Sequence, residues 1–174
     1  MKTPAVLRWF VSLSTLLGAI FVAGAATAEE YLVDGNFGLG TGLEGGDPGS
    51  GKLVWRRARL RVETGVDLRD DESRSDALGL RAFVEVEKRG SVGAEVRYER
   101  WLTRSVGVYA GLIGTVAPET LFGGGVGGTV VIPFGKRVGL YLEPSFHAMP
   151  LGSDLPNKSI LIWGLFSAGI KLEL

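Results

Sequence analysis

The stretch RARLRVETGVDLRD, Arg57 to Asp70, alternates residue by residue. Ala58, Leu60, Val62, Thr64, Val66 and Leu68 are apolar or small. Arg57, Arg59, Arg61, Glu63, Asp67 and Arg69 between them are charged. A period of two is the mark of a β-strand, so this one carries an apolar face and an ionic face. A chain built of such strands must hide one face and leave the other to its surroundings, and that choice decides its compartment.

The same alternation recurs in eight segments: 31–43, 53–70, 78–87, 92–101, 106–115, 122–134, 138–147 and 160–174. In the third, Leu78, Leu80, Ala82, Val84 and Val86 oppose Arg81, Glu85 and Glu87. In the fourth, Val92, Ala94, Val96 and Tyr98 oppose Glu95, Arg97, Glu99 and Trp101. The sixth faces its apolar side with Gly123, Gly125, Gly127 and Thr129. The eighth sets Ile160, Ile162, Phe166, Ala168, Ile170, Leu172 and Leu174 against Ser167, Lys171 and Glu173. Residues 102–104 and 134–137 read as tight turns. Residues 44–52 and 149–157, rich in Gly, Pro and Asp, read as longer loops. Eight consecutive antiparallel strands of about ten residues describe an up-and-down meander, and closing it removes the exposed edges.

Residues 1–28 have the layout of a secretory signal. Lys2 and Arg8 form a basic start, Trp9 to Ala25 an apolar run, and Ala26-Thr27-Ala28 a small-x-small cleavage site. Removing Lys2 and Arg8 from 19 basic residues leaves 17 against 19 acidic ones, a net of −2 that offers nothing to nucleic acid. The chain has no Cys, so export brings no disulfide framework. After residue 28 no apolar run approaches the roughly 18–20 residues of a spanning helix. A membrane form of this chain crosses with strands.

Two closed barrels fit the alternation. A soluble, lipocalin-like barrel turns the apolar face to a ligand cavity; a transmembrane barrel turns it to lipid and fills its lumen with the charges. Three features favour the second. Tyr31, Tyr98, Phe122, Phe134 and Phe146 stand at or near strand ends, as interfacial girdles do. The glycine-rich ionic face of strands five and six makes room in a narrow lumen. Basic residues on the apolar face, Arg56, Lys88 and Arg100, lie where they can reach the interface. The ionic face then points inward. Arg57, Arg59, Arg61, Arg81, Arg97 and Lys171 balance Glu63, Asp67, Glu85, Glu95, Glu99 and Glu143 in a lumen charge network. Eight strands enclose an interior about filled by side chains, which disfavours a permeation channel.

With VGAEVRYERWLTRSVGVYAGL (92–112), GGTVVIPFGKRVGLYLEPSF (127–146) and the ending FSAGIKLEL (166–174), the chain resembles small bacterial outer-membrane barrels of the OmpA/OmpX-like class. The resemblance covers nearly all of the chain after residue 28. The final residue departs from it, since such proteins usually end in Phe or Trp and this one ends in Leu174. The resemblance implies an all-β, closed eight-stranded antiparallel transmembrane barrel in the bacterial outer membrane. It further implies contact with outer-membrane lipid and lipopolysaccharide, insertion by the barrel-assembly machinery, and a monomer.

Motifs with chemistry are few. GDPGSGK (46–52) lacks the Ser/Thr after the Lys and precedes a strand; GGGVGG (123–128) sits inside a strand and precedes no helix. Both fail as nucleotide loops, and no cofactor is expected. One His and no Cys leave no metal-ligand set. Glu143, Ser145 and His147 share one face and are the parts of an acyl-transfer site, of the kind carried by lipid A deacylases of the outer membrane. Their order is reversed from the His-x-Ser of those enzymes, and parity points them into the lumen. The reading favoured by the sequence is a non-enzymatic barrel. Its loops 44–52 and 149–158 are the expected interaction surface.

Overall fold

The computed structural model describes residues 31–47, 52–70, 75–86, 90–153, 155 and 159–173. The proposed signal sequence and parts of four connections lie outside these residues, as do the side chains of Tyr31, Arg56 and Arg57.

Eight strands follow one another: β1 (Tyr31–Asp47), β2 (Val54–Asp70), β3 (Asp76–Glu85), β4 (Ser91–Trp101), β5 (Val106–Ala117), β6 (Leu121–Pro133), β7 (Val138–Gly152) and β8 (Ile160–Glu173). Each pairs antiparallel with the next, and β8 returns to β1, closing the barrel. The beginning of β1 and the end of β8 lie side by side, through Asp34 opposite Glu173. We call that rim the terminal end and the opposite rim the far end.

The pairing sets the strand tilt. One path of directly opposed, inward-facing residues runs Asp34–Asp67–Gly79–Arg97–Gly111–Gly125–His147–Trp163 and arrives back on β1 at Glu44, ten residues above its start. Ten residues of ~3.3 Å rise against eight strand spacings of ~4.8 Å incline the strands about 40° to the axis. Inward residues therefore climb like a screw thread, so side chains remote along the strands become neighbours inside.

The apolar face points outward all round. Phe37, Leu39, Leu43, Leu60, Leu78, Val96, Leu112, Val126, Ile132, Phe166 and Ile170 are all exposed, each at 45% or more. The ionic face is buried, with Asp67, Glu85 and Glu99 fully enclosed. The soluble, ligand-filled alternative has the opposite arrangement and is excluded by this one.

Three expectations change. Residues 44–47 and 149–152, expected in loops, belong to β1 and β7. Their Gly and Asp residues favour turns, but Gly45 and Gly46 have hydrogen-bonded neighbours on both sides, in β2 and β8, and pairing outweighs a weak local preference. Phe134 stands in the 134–137 turn beyond the end of β6, not in the strand. Tyr98, Phe122, Phe134 and Phe146 face outward, but Phe37 and Phe166 add aromatic surface between the ends, so the aromatics are not confined to girdles.

Candidate functional site

The barrel interior holds the polar chemistry of this molecule, in three storeys. Alternation delivers one inward side chain every second residue, and the ten-residue stagger decides which of them meet.

At the far end, Arg59 donates from Nε to Glu44 Oε2 at 2.8 Å and from Nη1 to Glu85. Glu85 also accepts from Arg61 Nη2 at 3.2 Å and Ser91 Oγ at 2.7 Å. Trp163 Nε1 donates to the same Glu44 oxygen at 3.0 Å, with the Arg59 guanidinium 4.1 Å over its ring. Around this knot sits an apolar cluster of Phe83, Ile113, Leu121, Met149, Trp163 and Leu165, with Leu155 and Leu161 packed on it. Phe83 meets Trp163 edge-on at 6.5 Å, and the Arg61 guanidinium lies 3.9 Å over Phe83.

In the middle storey, Glu143 accepts from Arg97 Nη1 at 2.7 Å, Tyr109 Oη at 2.9 Å and Thr129 Oγ1 at 3.4 Å. Tyr141 Oη donates to Glu63 at 3.0 Å. His147 Nε2 lies 3.6 Å from Glu95 Oε2, too far for a hydrogen bond. The glycines of β6 make these side chains possible. A Cβ on Gly125 would stand 2.1 Å from the His147 ring, and one on Gly127 would stand 2.5 Å from Tyr109. The room on that wall is taken by aromatic rings rather than by Arg and Glu.

At the terminal end, Asp67 accepts from Arg81 Nη2 and Lys171 Nζ, both at 2.9 Å. Lys171 also lies 3.2 Å from Asp34, which Arg69 bonds in turn. Trp101 carries Arg69 and Lys171 over its ring, each at 4.7 Å. Glu99 is fully buried, and neither of its oxygens has a hydrogen-bond partner among the described residues.

The structure thus brings Arg59, Arg61 and Glu85 together, then Arg97 with Glu143, and Arg81 with Asp67 and Lys171. Glu63 finds Tyr141 rather than a cation hydrogen bond, Glu95 faces His147, and Glu99 bonds none of the others. Arg57 has its side chain outside the described residues. Glu143, Ser145 and His147 do share the inward face of β7, but they do not assemble: Glu143 is bound to Arg97 and Tyr109, and His147 faces Glu95. Alternation puts Tyr109 and Tyr141 on the ionic face without giving them a role as donors, and it anticipates neither the apolar cluster nor the donor Trp163. All sit at ionic-face positions, where parity could have found them. Among the described residues no group of three or more metal-ligating side chains occurs.

No protein-family model matches this chain, and no curated protein is significantly similar to it. Among solved structures, the crystal structure of Neisserial surface protein A aligns at a TM-score of 0.53 and 14% identity, over 83% of this chain and 97% of that one. A de novo designed transmembrane β-barrel aligns at 0.41 and 12% identity, over 79% and 95%. Ail, the attachment invasion locus protein of Yersinia pestis, aligns at 0.36 and 10% identity, over 80% and 98%. The likeness to the Neisserial protein shows the fold alone, which in this chain is a closed antiparallel barrel of eight strands.

Proposed function

We propose that this protein is a non-enzymatic β-barrel of the bacterial outer membrane, exported with cleavage after Ala28. Its lumen is plugged by its own side chains, and it serves as a structural element or as a platform for surface contacts. One observation carries the reading: the outer wall is an apolar belt, while the interior is filled by buried ion pairs and an apolar cluster. Such a wall suits lipid, and such an interior favours a plug over an open pore.

In this reading the terminal end faces the periplasm. The far-end connections then face outward, where outer-leaflet lipopolysaccharide and external partners are met. The barrel-assembly machinery inserts the chain, which works as a monomer. The lipid A hydrolase alternative draws no support from the geometry, since Glu143 is bonded to Arg97 and Tyr109 and His147 faces Glu95 instead of Ser145.

The test combines three readouts. The protein resides in the outer-membrane fraction, and boiled and unboiled samples in detergent run differently on a denaturing gel. Purified protein adds no stepwise conductance to a planar bilayer. Lipid A from cells carrying His147→Ala keeps its wild-type mass. A soluble protein with no gel shift sinks the barrel reading; steady conductance steps sink the plug; an altered lipid A mass revives the hydrolase.

A further inference from the structure

At the terminal end the interior network gives way to an excess of cations. A cavity of about 140 Å³ opens between the 102–105 and 134–137 turns and the last inward residues of the barrel. Arg69 and Lys171 line it from the wall, and Arg104, Lys136 and Arg137 line it from the turns. Among the described residues only Asp34 and Glu173 line it with carboxylates; Asp34 is already engaged by Arg69 and Lys171, and Lys171 is held by Asp67 as well. Arg104, Lys136 and Arg137 are exposed and enter no ion pair among the described residues.

A second observation points to the same deficit. Trp101 lines this cavity, is 7% exposed, and its indole N–H has no acceptor among the described residues. The Nε of Arg69, another lining residue, is likewise buried without an acceptor. Buried donors are normally satisfied, and unsatisfied ones ask for an ion or a water. The Trp101 ring also holds Arg69 and Lys171 in place, each 4.7 Å from its centroid.

We propose that this cavity is an oxyanion site that takes a single phosphate group. Among the described lining residues five cations face two carboxylates, and the three cations of the turns enter no ion pair. A phosphate answers that excess better than a carboxylate, and it presents several acceptor oxygens to the guanidinium forks and the indole N–H. The volume admits one such group. With the terminal end in the periplasm, two sources supply it: the headgroup of an inner-leaflet phospholipid, or free phosphate. Only that choice of source rests on the orientation proposed above; binding in detergent does not depend on it.

The experiment follows the Trp101 indole ¹H–¹⁵N resonance of the folded protein, assigned by its loss in Trp101→Phe. In uncharged detergent micelles, sodium phosphate moves it saturably, and sodium chloride at matched ionic strength does not, if free phosphate is the ligand. If the headgroup is the ligand, the resonance is displaced in phosphatidylglycerol nanodiscs but not in galactolipid nanodiscs, which carry no phosphate. Replacing Arg104, Lys136 and Arg137 together by Gln weakens either response at least about tenfold. These residues are exposed in turns, and the boiled-versus-unboiled gel shift confirms that the variant is folded. Movement by chloride equal to that by phosphate, no displacement in any medium, or a folded triple variant that responds as wild type overturns the proposal.

Discussion

Gly125 shows how single residues hold the interior open. Its missing side chain is the space occupied by the His147 ring, so Gly125→Ala forces a rigid, buried ring to move. The expected cost is about 1–3 kcal/mol, read as a lower urea midpoint for unfolding from lipid vesicles. Gly124, one position along, faces outward, and a Cβ there meets only the Gly111 carbonyl at 3.4 Å. Gly124→Ala is therefore expected to stay within about 0.5 kcal/mol of wild type. Equal effects of the two would mean that the facing of β6 is wrong. Two buried carboxylates make a second contrast. Glu143 satisfies three donors, so Glu143→Ala strands the Arg97 guanidinium and costs about 3–5 kcal/mol. Glu99 has no hydrogen-bond partner among the described residues, so Glu99→Gln removes a costly charge and is neutral or stabilising. The same urea titration checks both, and a large loss from Glu99→Gln would show that its charge is compensated inside the folded barrel.

The strand is the scale at which the sequence was most readable. Alternation alone assigns a face to nearly every residue from Arg59 to Arg69, because a one-residue slip would turn the whole ionic row into lipid. It could not show which inward residues meet. Phe83, between Arg81 and Glu85, reads as a lone apolar residue on a charged face. Only the stagger between strands brings it against Trp163 from the opposite end of the chain. The ends of β1 and β7 were illegible for a different reason: Gly and Asp describe local preference, whereas pairing with two neighbours is decided elsewhere. The triad candidates failed in the same way, since sharing a face on β7 says nothing about the partners offered by β4 and β5. Facing also has a measurable price at the belt. Leu112 lies halfway up β5 and is exposed, opposite Val96 on β4. Leu112→Arg is expected to destabilise the protein in lipid by about 2–4 kcal/mol, and a neutral outcome in the urea titration would mean that this position does not meet the bilayer core.

For the whole molecule, stability is divided between two media. The belt draws its free energy from lipid, so it contributes only when the barrel is inserted. The interior draws its free energy from ion pairs, aromatic rings and an apolar cluster that pack on one another, with a few buried polar atoms such as the Glu99 oxygens left unpartnered among the described residues. The wall that separates them is uneven. β1 and β2 have 17 residues each and β7 and β8 have 15 and 14, and these four are contiguous around the closure. The other four have 10 to 13. The far-end mouth is thus shaped like a hooded doorway, with a raised back of four strands and a low sill opposite. Among the described residues, a visiting molecule crosses less wall to reach Leu121 on β6 from the sill than from the hood, so approach to this surface has a preferred direction.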